Sequence, residues 1–310
     1  MTQVSGVEQG MAWGSANDGQ QALRTYAPEA ADALAAVETG IWQGELAGLL
    51  AKAALVCAGN LGLPPLAPGA PVLAGREISA DDEQVALAFA EQLTIDVSAV
   101  SDEQRQGLID RFGPSVGDYV QGLWVVDFLP RAWAALDALF GVSAPGATPA
   151  PDGSPAGSLW DAIMEFIRVV PLLGLDAVTS ELVRLRGARQ HQCRLCKSLR
   201  NRSAIVAGAD DDMFAAVDTY ETSSLSPRHQ AALALTDALI WTPGHLDSAM
   251  IDEVRREFSP AEAVALVLWV TRNATNKIPV ALAADEANIS EGVEIYDINE
   301  TGELVYGLTV

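Results

Sequence analysis

The sequence predicts an all-α protein built from two related halves, with a short β-hairpin at the C-terminus. Apolar side chains recur at helical spacing, for example at Leu233, Leu235 and Leu239. Serine–proline pairs beginning at Ser226 and Ser259 precede two such runs, where serine can cap a helix and proline can occupy its first position. The third observation is an internal similarity between the halves. Together these features predict helices through most of the chain.

The two halves align without a gap over about fifty residues at an offset of 146 positions. The matching pairs are Leu87 and Leu233, Leu93 and Leu239, Phe112 and Phe258, Pro114 and Pro260, Arg131 and Lys277, and Leu136 and Leu282. Further upstream, Glu45 precedes Cys57 by twelve residues, as Glu181 precedes Cys193. We interpret this pattern as an internal duplication.

Composition divides the chain into four parts. A stretch of Pro, Ala, Gly and Ser at 141–158 is typical of an exposed linker, and it separates helical units at 21–140 and 159–290. With 310 residues and 49% hydrophobic content, each unit is large enough to bury a core of its own. Alternating apolar residues around a turn predict a β-hairpin at 291–310. The helices predicted around the motif described below are 176–189, 194–207, 210–220 and 247–258.

The charge of the chain restricts the classes of partner. A formal charge of −22 argues against nucleic acid or an anionic membrane, because both require a broad basic surface. Neither a secretory signal nor an apolar run of about 18 residues is present, so we expect a cytoplasmic protein. Three cysteines cannot form the disulfide framework of a secreted domain. We predict no cofactor and no metal.

The segment 181–202 carries a net positive charge, opposite to that of the whole chain. It holds seven of the 19 basic side chains and a single acid, Glu181. Within it, Cys193 and Cys196 form a Cys-x-x-Cys pair. Nearby cations and a helix N-terminus stabilise a thiolate, the reactive form of cysteine. The segment therefore predicts redox chemistry at this pair.

Helical spacing suggests a role for each side chain of the motif. In a helix that begins near Cys193, this residue would be the exposed, attacking thiol, and Cys196 would resolve the intermediate from the same face. Arg200, one turn further, would stabilise negative charge on sulfur or on a substrate. Glu181 on the preceding helix would handle the proton, and His191 is a second candidate for that task.

Other interpretations of the same residues remain open. The two cysteines could be half of a zinc site or ordinary core residues. Each arginine could simply be solvated or paired with an acid, and His191 could be a surface residue in a loop.

The motif Glu181-x11-Cys193-x2-Cys196, followed by the run SPAEAVALVLWVTRNATNK, resembles the alkylhydroperoxidase D / carboxymuconolactone decarboxylase family. The likeness covers 159–286 and, more faintly, 45–140. It implies compact helical units that assemble into trimers or hexamers, with a Glu, two Cys and a His acting on peroxides. Glu181, Cys193 and Cys196 match that pattern, but Arg200 replaces the histidine. Arginine cannot shuttle protons near neutral pH, so the relay is rerouted, through Glu181 and His191, or absent.

The resemblance implies a thiol-dependent oxidoreductase that reduces a hydroperoxide or exchanges thiols with disulfides. Its partners would be that small substrate, a protein or small-thiol reductant, and copies of itself, with a homotrimer favoured. Cys57 lacks a second cysteine three residues on, so the N-terminal unit should be silent. Two alternatives are a decarboxylase-like lyase that holds a lactone carboxylate with Arg200, and a non-catalytic redox-sensing or interaction protein.

Overall fold

The computed structural model describes residues 13–66, 75–142 and 157–310. These residues are mostly helical, with one small sheet that includes the C-terminal segment, as the sequence predicts in outline. Most of the predicted linker at 141–158 lies outside the described residues. No helix in the described ranges is long and apolar enough to cross a membrane.

The described residues of the first half form six α-helices, and side-chain caps fix several of their starts. Asp18, Ser79 and Ser101 each accept a hydrogen bond from a backbone amide in the first turn of the helix that follows. The helices are α1 (Gly19–Tyr26), α2 (Pro28–Gly40), α3 (Ala47–Leu61), α4 (Ala80–Asp96), α5 (Asp102–Phe112) and α6 (Val116–Phe140).

The second half has shorter helices and contributes the first strand. Ser226 and Ser259 cap their helices as predicted, and Glu262 completes a capping box with Ser259. The helices are α7 (Leu159–Val169), α8 (Ala177–Gln190), α9 (Arg194–Lys197), α10 (Arg202–Val206), α11 (Asp211–Ala216), α12 (Pro227–Trp241), α13 (Ser248–Glu257), α14 (Pro260–Asn273) and α15 (Lys277–Ala281).

The helix predicted at 194–207 is wrong. Its centre is the strand β1 (Leu199–Asn201), which separates α9 from α10. The predicted hairpin consists of β2 (Glu294–Ile298) and β3 (Leu304–Leu308), and β2 also pairs in parallel with β1. The amide of Glu294 donates to the carbonyl of Ser198 at 2.8 Å. The pairing of β1 with β2, about ninety residues away, overrides the local helical pattern. A local sequence pattern cannot encode a partner so distant in the chain.

The main hydrophobic core draws on both halves of the chain. We expected each unit to bury a core of its own, but one continuous cluster runs from the first described helix to α15, and α6 packs against α14 within it. A smaller cluster lies between α8, α10, α11 and α12. The halves are thus packed against each other rather than held by the linker alone.

A buried ion cluster crosses the boundary between the halves. Asp127 and Arg131 on α6 form an ion pair at 2.5 Å, and Lys277 at the start of α15 binds the other carboxylate oxygen of Asp127. All three side chains are almost inaccessible to solvent. Burial alone would raise the pKa of Asp127, but the charges of Arg131 and Lys277 outweigh it and lower that pKa.

Arg131 also binds the ends of two helices. Its guanidinium donates to the carbonyls of Leu239 at 3.0 Å and Ile240 at 2.5 Å, in the last turn of α12. It also donates to the carbonyl of Thr94 in α4 at 3.2 Å. Thr94 and Ile240 are related by the offset of 146, so one cation binds equivalent positions of the two halves.

We predict that Asp127→Asn destabilises the fold by about 3–5 kcal/mol, because it leaves Arg131 and Lys277 buried without a counter-charge. Urea denaturation measures the free energy of unfolding. Asp118→Asn, an exposed site on the same helix, is the control and should cost less than about 1 kcal/mol. Equal stability of the two variants would show that the cluster does not hold the halves together.

Candidate functional site

The chain reverses direction between α8 and β1, and the cysteine pair lies in this reversal. His191 follows the last residue of α8, and Gln192 adopts a left-handed conformation with φ of 55°. Cys193 then caps α9, which is only four residues long. We expected a longer helix whose N-terminus would stabilise a thiolate, but one turn carries little dipole. Side chains must therefore provide the electrostatics of the site.

The two sulfur atoms are close together. Cys193 Sγ and Cys196 Sγ are 2.7 Å apart, and both cysteines are free thiols. The amide of Cys196 donates to Cys193 Sγ at 3.2 Å. A disulfide of about 2.05 Å can form after a small movement, so the pair has the geometry of a reversible dithiol.

The two thiols differ in exposure and in proton affinity. Cys193 is fully buried, whereas Cys196 keeps some accessible surface. The Cys193 thiol donates a hydrogen bond that lowers the pKa of Cys196; burial opposes this, and Arg184 and Asn276 add to it. The same hydrogen bond, with burial, raises the pKa of Cys193. Cys196 is thus better placed to attack, and the exposed Cys193 that we predicted is wrong, because capping α9 turns its side chain inward.

Glu181 is the acceptor of a buried ion pair. Arg184, one turn along α8, donates to its two carboxylate oxygens at 2.6 and 2.7 Å. The amide of Asn201 and the hydroxyl of Tyr296 donate to the same carboxylate at 3.1 and 3.0 Å. Because four donors already bind its two oxygens, the geometry favours a positioning role over the proton transfer that we predicted for Glu181.

Arg184 connects this ion pair to the cysteines. Its guanidinium donates to the carbonyl of Cys196 at 2.7 Å and to that of Leu199 at 2.9 Å. Its charge is the cation that acts most strongly on the Cys196 thiol. The Glu181–Arg184 pair therefore holds the cysteine turn in place and favours the thiolate of Cys196.

His191 is buried rather than exposed in a loop. Its Nδ1 lies 2.7 Å from Oδ1 of Asn276, so Nδ1 carries the proton when that oxygen accepts. Burial, with the charge of Lys277, lowers the pKa of His191 to about 3. The imidazole is neutral near pH 7 and cannot act as an imidazolium donor there, which weakens the predicted relay role.

Asn276 is a site residue that the sequence did not reveal. Its Oδ1 pairs with His191, and its Nδ2, which meets no conventional acceptor among the described residues, contributes after Cys193 and Arg184 to the lowered pKa of Cys196. The side chain therefore connects a neutral histidine to the thiolate. Its place after α14, eighty residues from the cysteines, left no local signal.

The contacts of Arg200 do not fit the role that we predicted for it. It lies in β1, donates to the carbonyls of Lys197 and Leu199 at 3.0 and 2.7 Å, and covers the ring of Phe214 at 5.1 Å. None of its hydrogen bonds within the described residues reaches a cysteine sulfur. The expected common helical face does not exist, because the chain leaves the helix at Ser198.

The other basic residues of the segment are mostly neutralised by acids, as the alternative interpretation allowed. The ion pairs are Arg186 with Asp218 and Asp237, Arg189 with Asp218, and Arg194 with Asp285. Asp285 also accepts from the amide of Arg194 at 2.7 Å, and its carbonyl accepts from Leu195 at 2.9 Å. It thereby anchors the cysteine turn from the end of the second half.

Two cavities flank the site. One of about 610 Å³ opens between the halves beside the cysteine turn, where Asp96, Arg189 and Lys197 line it. The other, of about 160 Å³, is lined by Glu181, Tyr296 and further residues of the hairpin. Neither cysteine lines them. In the described ranges no group of three or more His, Cys, Asp or Glu side chains is placed to hold a metal ion, so the zinc alternative gains no further ligands there.

Cys57 in the first half has a different environment. It is fully buried, and the hydroxyl of Thr94 donates to its sulfur at 3.0 Å. Burial, with the charge of Asp127, raises the pKa of this thiol to about 12. A buried, protonated thiol is a poor nucleophile, which agrees with the predicted silence of this residue.

We predict that iodoacetamide modifies Cys196 first, with a pH–rate midpoint below that of an ordinary thiol. Cys193→Ala removes the main hydrogen bond to the thiolate and should shift that midpoint upward, toward the value of a free cysteine. Mass spectrometry of the alkylated protein identifies the residue. Preferential modification of Cys193 would contradict the assignment.

Asn276 and Arg200 provide a matched comparison. Asn276→Asp places a carboxylate beside the sulfur and should raise the pKa of Cys196, so that alkylation at pH 7 becomes slower. Arg200→Ala should change the rate less than about twofold, since Arg200 makes its contacts elsewhere. The reverse order of effects would restore the role that the sequence suggested for Arg200.

Comparisons with known proteins identify relatives that cover most of the chain. No protein-family model matches it. Uncharacterized protein Rv2313c of Mycobacterium tuberculosis strain H37Rv is 40% identical over 275 residues, covering 85% of this chain and 93% of that protein. Uncharacterized protein MT2376 of strain CDC 1551 matches over the same shares. The chain belongs to the same protein family as these two mycobacterial proteins.

Proposed function

We propose that the protein is a thiol-dependent oxidoreductase that exchanges its Cys193/Cys196 dithiol with small disulfides. The observation that carries the proposal is the asymmetric pair, with sulfurs 2.7 Å apart, a lowered pKa at the accessible thiol and a raised pKa at the buried one. A nucleophile that is ionised beside a protonated partner suits the two steps of exchange.

In the first step the Cys196 thiolate attacks a substrate disulfide R–S–S–R′. A bond forms between Cys196 and one substrate sulfur, and R′–S⁻ leaves. In the second step Cys193 loses its proton and attacks Cys196, which releases R–S⁻ and leaves the Cys193–Cys196 disulfide. The protein gives up two electrons and the substrate takes them. A dithiol reductant reverses the sequence and restores the protein.

The resemblance to the alkylhydroperoxidase D / carboxymuconolactone decarboxylase family supports the same proposal. We infer two tandem units of that type. Helices α4 and α5 correspond at the offset of 146 to α12 and α13, with starts that agree to within one residue. Arg131 and Lys277, which the same offset relates, bind one carboxylate. The homotrimer implied by the resemblance stays a prediction.

Hydroperoxide reduction is the second candidate. There the Cys196 thiolate would take the distal oxygen of R–O–O–H, a proton would convert R–O⁻ to the alcohol, and Cys193 would condense with the sulfenic acid to release water. The thiol proton of Cys193, adjacent to the thiolate, favours this chemistry. This route needs a second proton. His191 is neutral and the oxygens of Glu181 are occupied by hydrogen-bond donors, so neither residue is suited to supply it, and we rank disulfide exchange first.

The remaining alternatives have less support. A lyase would use Arg200 to hold a carboxylate, but that guanidinium donates to backbone carbonyls and covers Phe214. A redox-sensing protein would form the same disulfide without turnover, and it would bind a partner in only one redox state.

We predict that the reduced protein reduces a small disulfide in the presence of excess dithiol, and that Cys196→Ser abolishes this turnover. Cys193→Ser should stop at the mixed disulfide on Cys196, which adds the mass of one substrate thiol. Cys57→Ala is the matched cysteine control and should retain more than about half of the rate, because its thiol is buried and protonated.

The released substrate thiol, separated from the dithiol by chromatography, measures turnover and tests this scheme. Turnover of a lactone carboxylate that survives the loss of both Cys193 and Cys196 would favour the lyase. A disulfide that forms without turnover of either a disulfide or a hydroperoxide would favour the sensor.

A further inference from the structure

One buried cation of the described residues lacks an acidic partner. Arg131, Arg184, Arg272 and Lys277 are the basic side chains buried there, with Arg272 only 6% exposed. The other three each form an ion pair with Asp127 or Glu181. No carboxylate of the described residues lies within ion-pair distance of Arg272. Burying most of a guanidinium without a counter-charge costs free energy, and no ion pair within the described residues offsets that cost.

The protein uses only part of the guanidinium. Arg272, in the last turn of α14, donates through Nε to the carbonyl of Ile167 at 2.8 Å and stacks over the ring of Trp269 at 5.1 Å. Its two terminal amino groups have no acceptor among the described residues, and they are not sealed from solvent. Capping α7 through Ile167 needs the Nε group alone, and it does not explain the free amino groups.

A second donor without a partner lies at the same place. Trp269, whose ring is beneath the guanidinium, is 4% exposed, and its Nε1 has no acceptor in the part of the chain that the structure describes. Buried donors are nearly always paired, so each exception requires an explanation. Two neighbouring donors with unused hydrogens, one of them charged, favour an anion as the missing partner.

This place is close to the dithiol. Trp269 lines the same cavity as Glu181 and Tyr296, and Arg184, which covers the ring of Tyr296 at 5.3 Å, donates to the carbonyl of Cys196. The charges of Arg184 and of the Cys196 thiolate also act on Arg272. Tyr306 on β3 is 40% exposed and is influenced by Cys196 in turn, so it lies where the site opens to solvent. Glu181 neutralises Arg184, so Arg272 is the cation here that no acid of the described residues pairs with. The Cys196 thiolate offsets that charge, and it disappears when Cys196 enters a disulfide.

We propose that Arg272 is an anion subsite that holds a carboxylate of the substrate while Cys196 attacks its disulfide bond. The substrate class is then a small disulfide that bears a carboxylate within a few bonds of sulfur. This inference rests on the proposed thiol–disulfide exchange. It also gives an overall acidic chain a local means of attracting an acidic substrate.

The test compares two disulfides that differ only in charge, 3,3′-dithiodipropionate and its diamide. The reduced protein reacts with each, and the ratio of the two second-order rate constants, divided by that for free cysteine, is the selectivity. We expect wild type to prefer the acid, and Arg272→Gln to lower the rate with the acid about tenfold while the rate with the diamide changes less than about twofold.

Two further variants separate charge from structure. Arg272→Lys keeps the cation and should retain a preference for the acid, whereas Arg256→Gln removes an exposed positive charge and should change nothing. Added salt should weaken the wild-type preference without any mutation, which keeps the test informative if Arg272→Gln fails to fold.

Each outcome has a distinct meaning. Equal losses with both disulfides would make Arg272 a counter-ion of the thiolate or a structural residue, and would overturn the subsite. A wild-type protein that reacts equally with acid and diamide would overturn it too, while leaving the exchange chemistry intact. A Cys196 that reacts with neither disulfide would instead refute the proposed function.

Discussion

The structure depends on the buried ion cluster of Asp127, Arg131 and Lys277. One carboxylate from the first half binds a cation from each half, and the guanidinium of Arg131 also binds the C-terminal turns of α4 and α12. Because these groups are buried, removing any one of them leaves charge without compensation, and that cost enforces a single arrangement of the halves. The shared hydrophobic core provides the bulk of the packing, while the cluster joins α6 to the end of the second half.

This arrangement of the halves positions the residues that surround the cysteine pair. Lys277 directly follows Asn276, so the residue that binds Asp127 also fixes the amide between His191 and Cys196. Its positive charge acts on His191 and, together with burial, keeps the imidazole neutral. The cysteine turn is held by the Glu181–Arg184 pair and by Asp285, which come from the two ends of the second half. The reactive thiol therefore lies within a rigid polar frame whose members are far apart in the sequence.

The two cysteines acquire different properties from this frame. The Cys-x-x-Cys pattern does not distinguish the two cysteines, but the fold does. Cys193 is buried as the cap of α9, whereas Cys196 stays partly accessible. A single hydrogen bond between the sulfurs then lowers one pKa and raises the other. Arg184 supports the Cys196 thiolate, whereas most of the other arginines nearby are engaged with acids. Arg272 is the exception, a buried cation whose hydrogen-bond acceptor within the described residues is one backbone carbonyl.

The sequence by itself determined the features that depend on local chemistry. Periodicity and caps predicted α8, α12 and α13 closely, alternation predicted the terminal hairpin, and spacing singled out the cysteine pair. Tertiary structure decided the rest. The strand at Leu199–Asn201 exists because β2 pairs with it from the far end of the chain, and it takes Arg200 away from the thiols. The burial of His191 and the contributions of Asn276 and Arg272 likewise arise between segments distant in sequence, where electrostatics and hydrogen bonding depend on packing that no local pattern encodes.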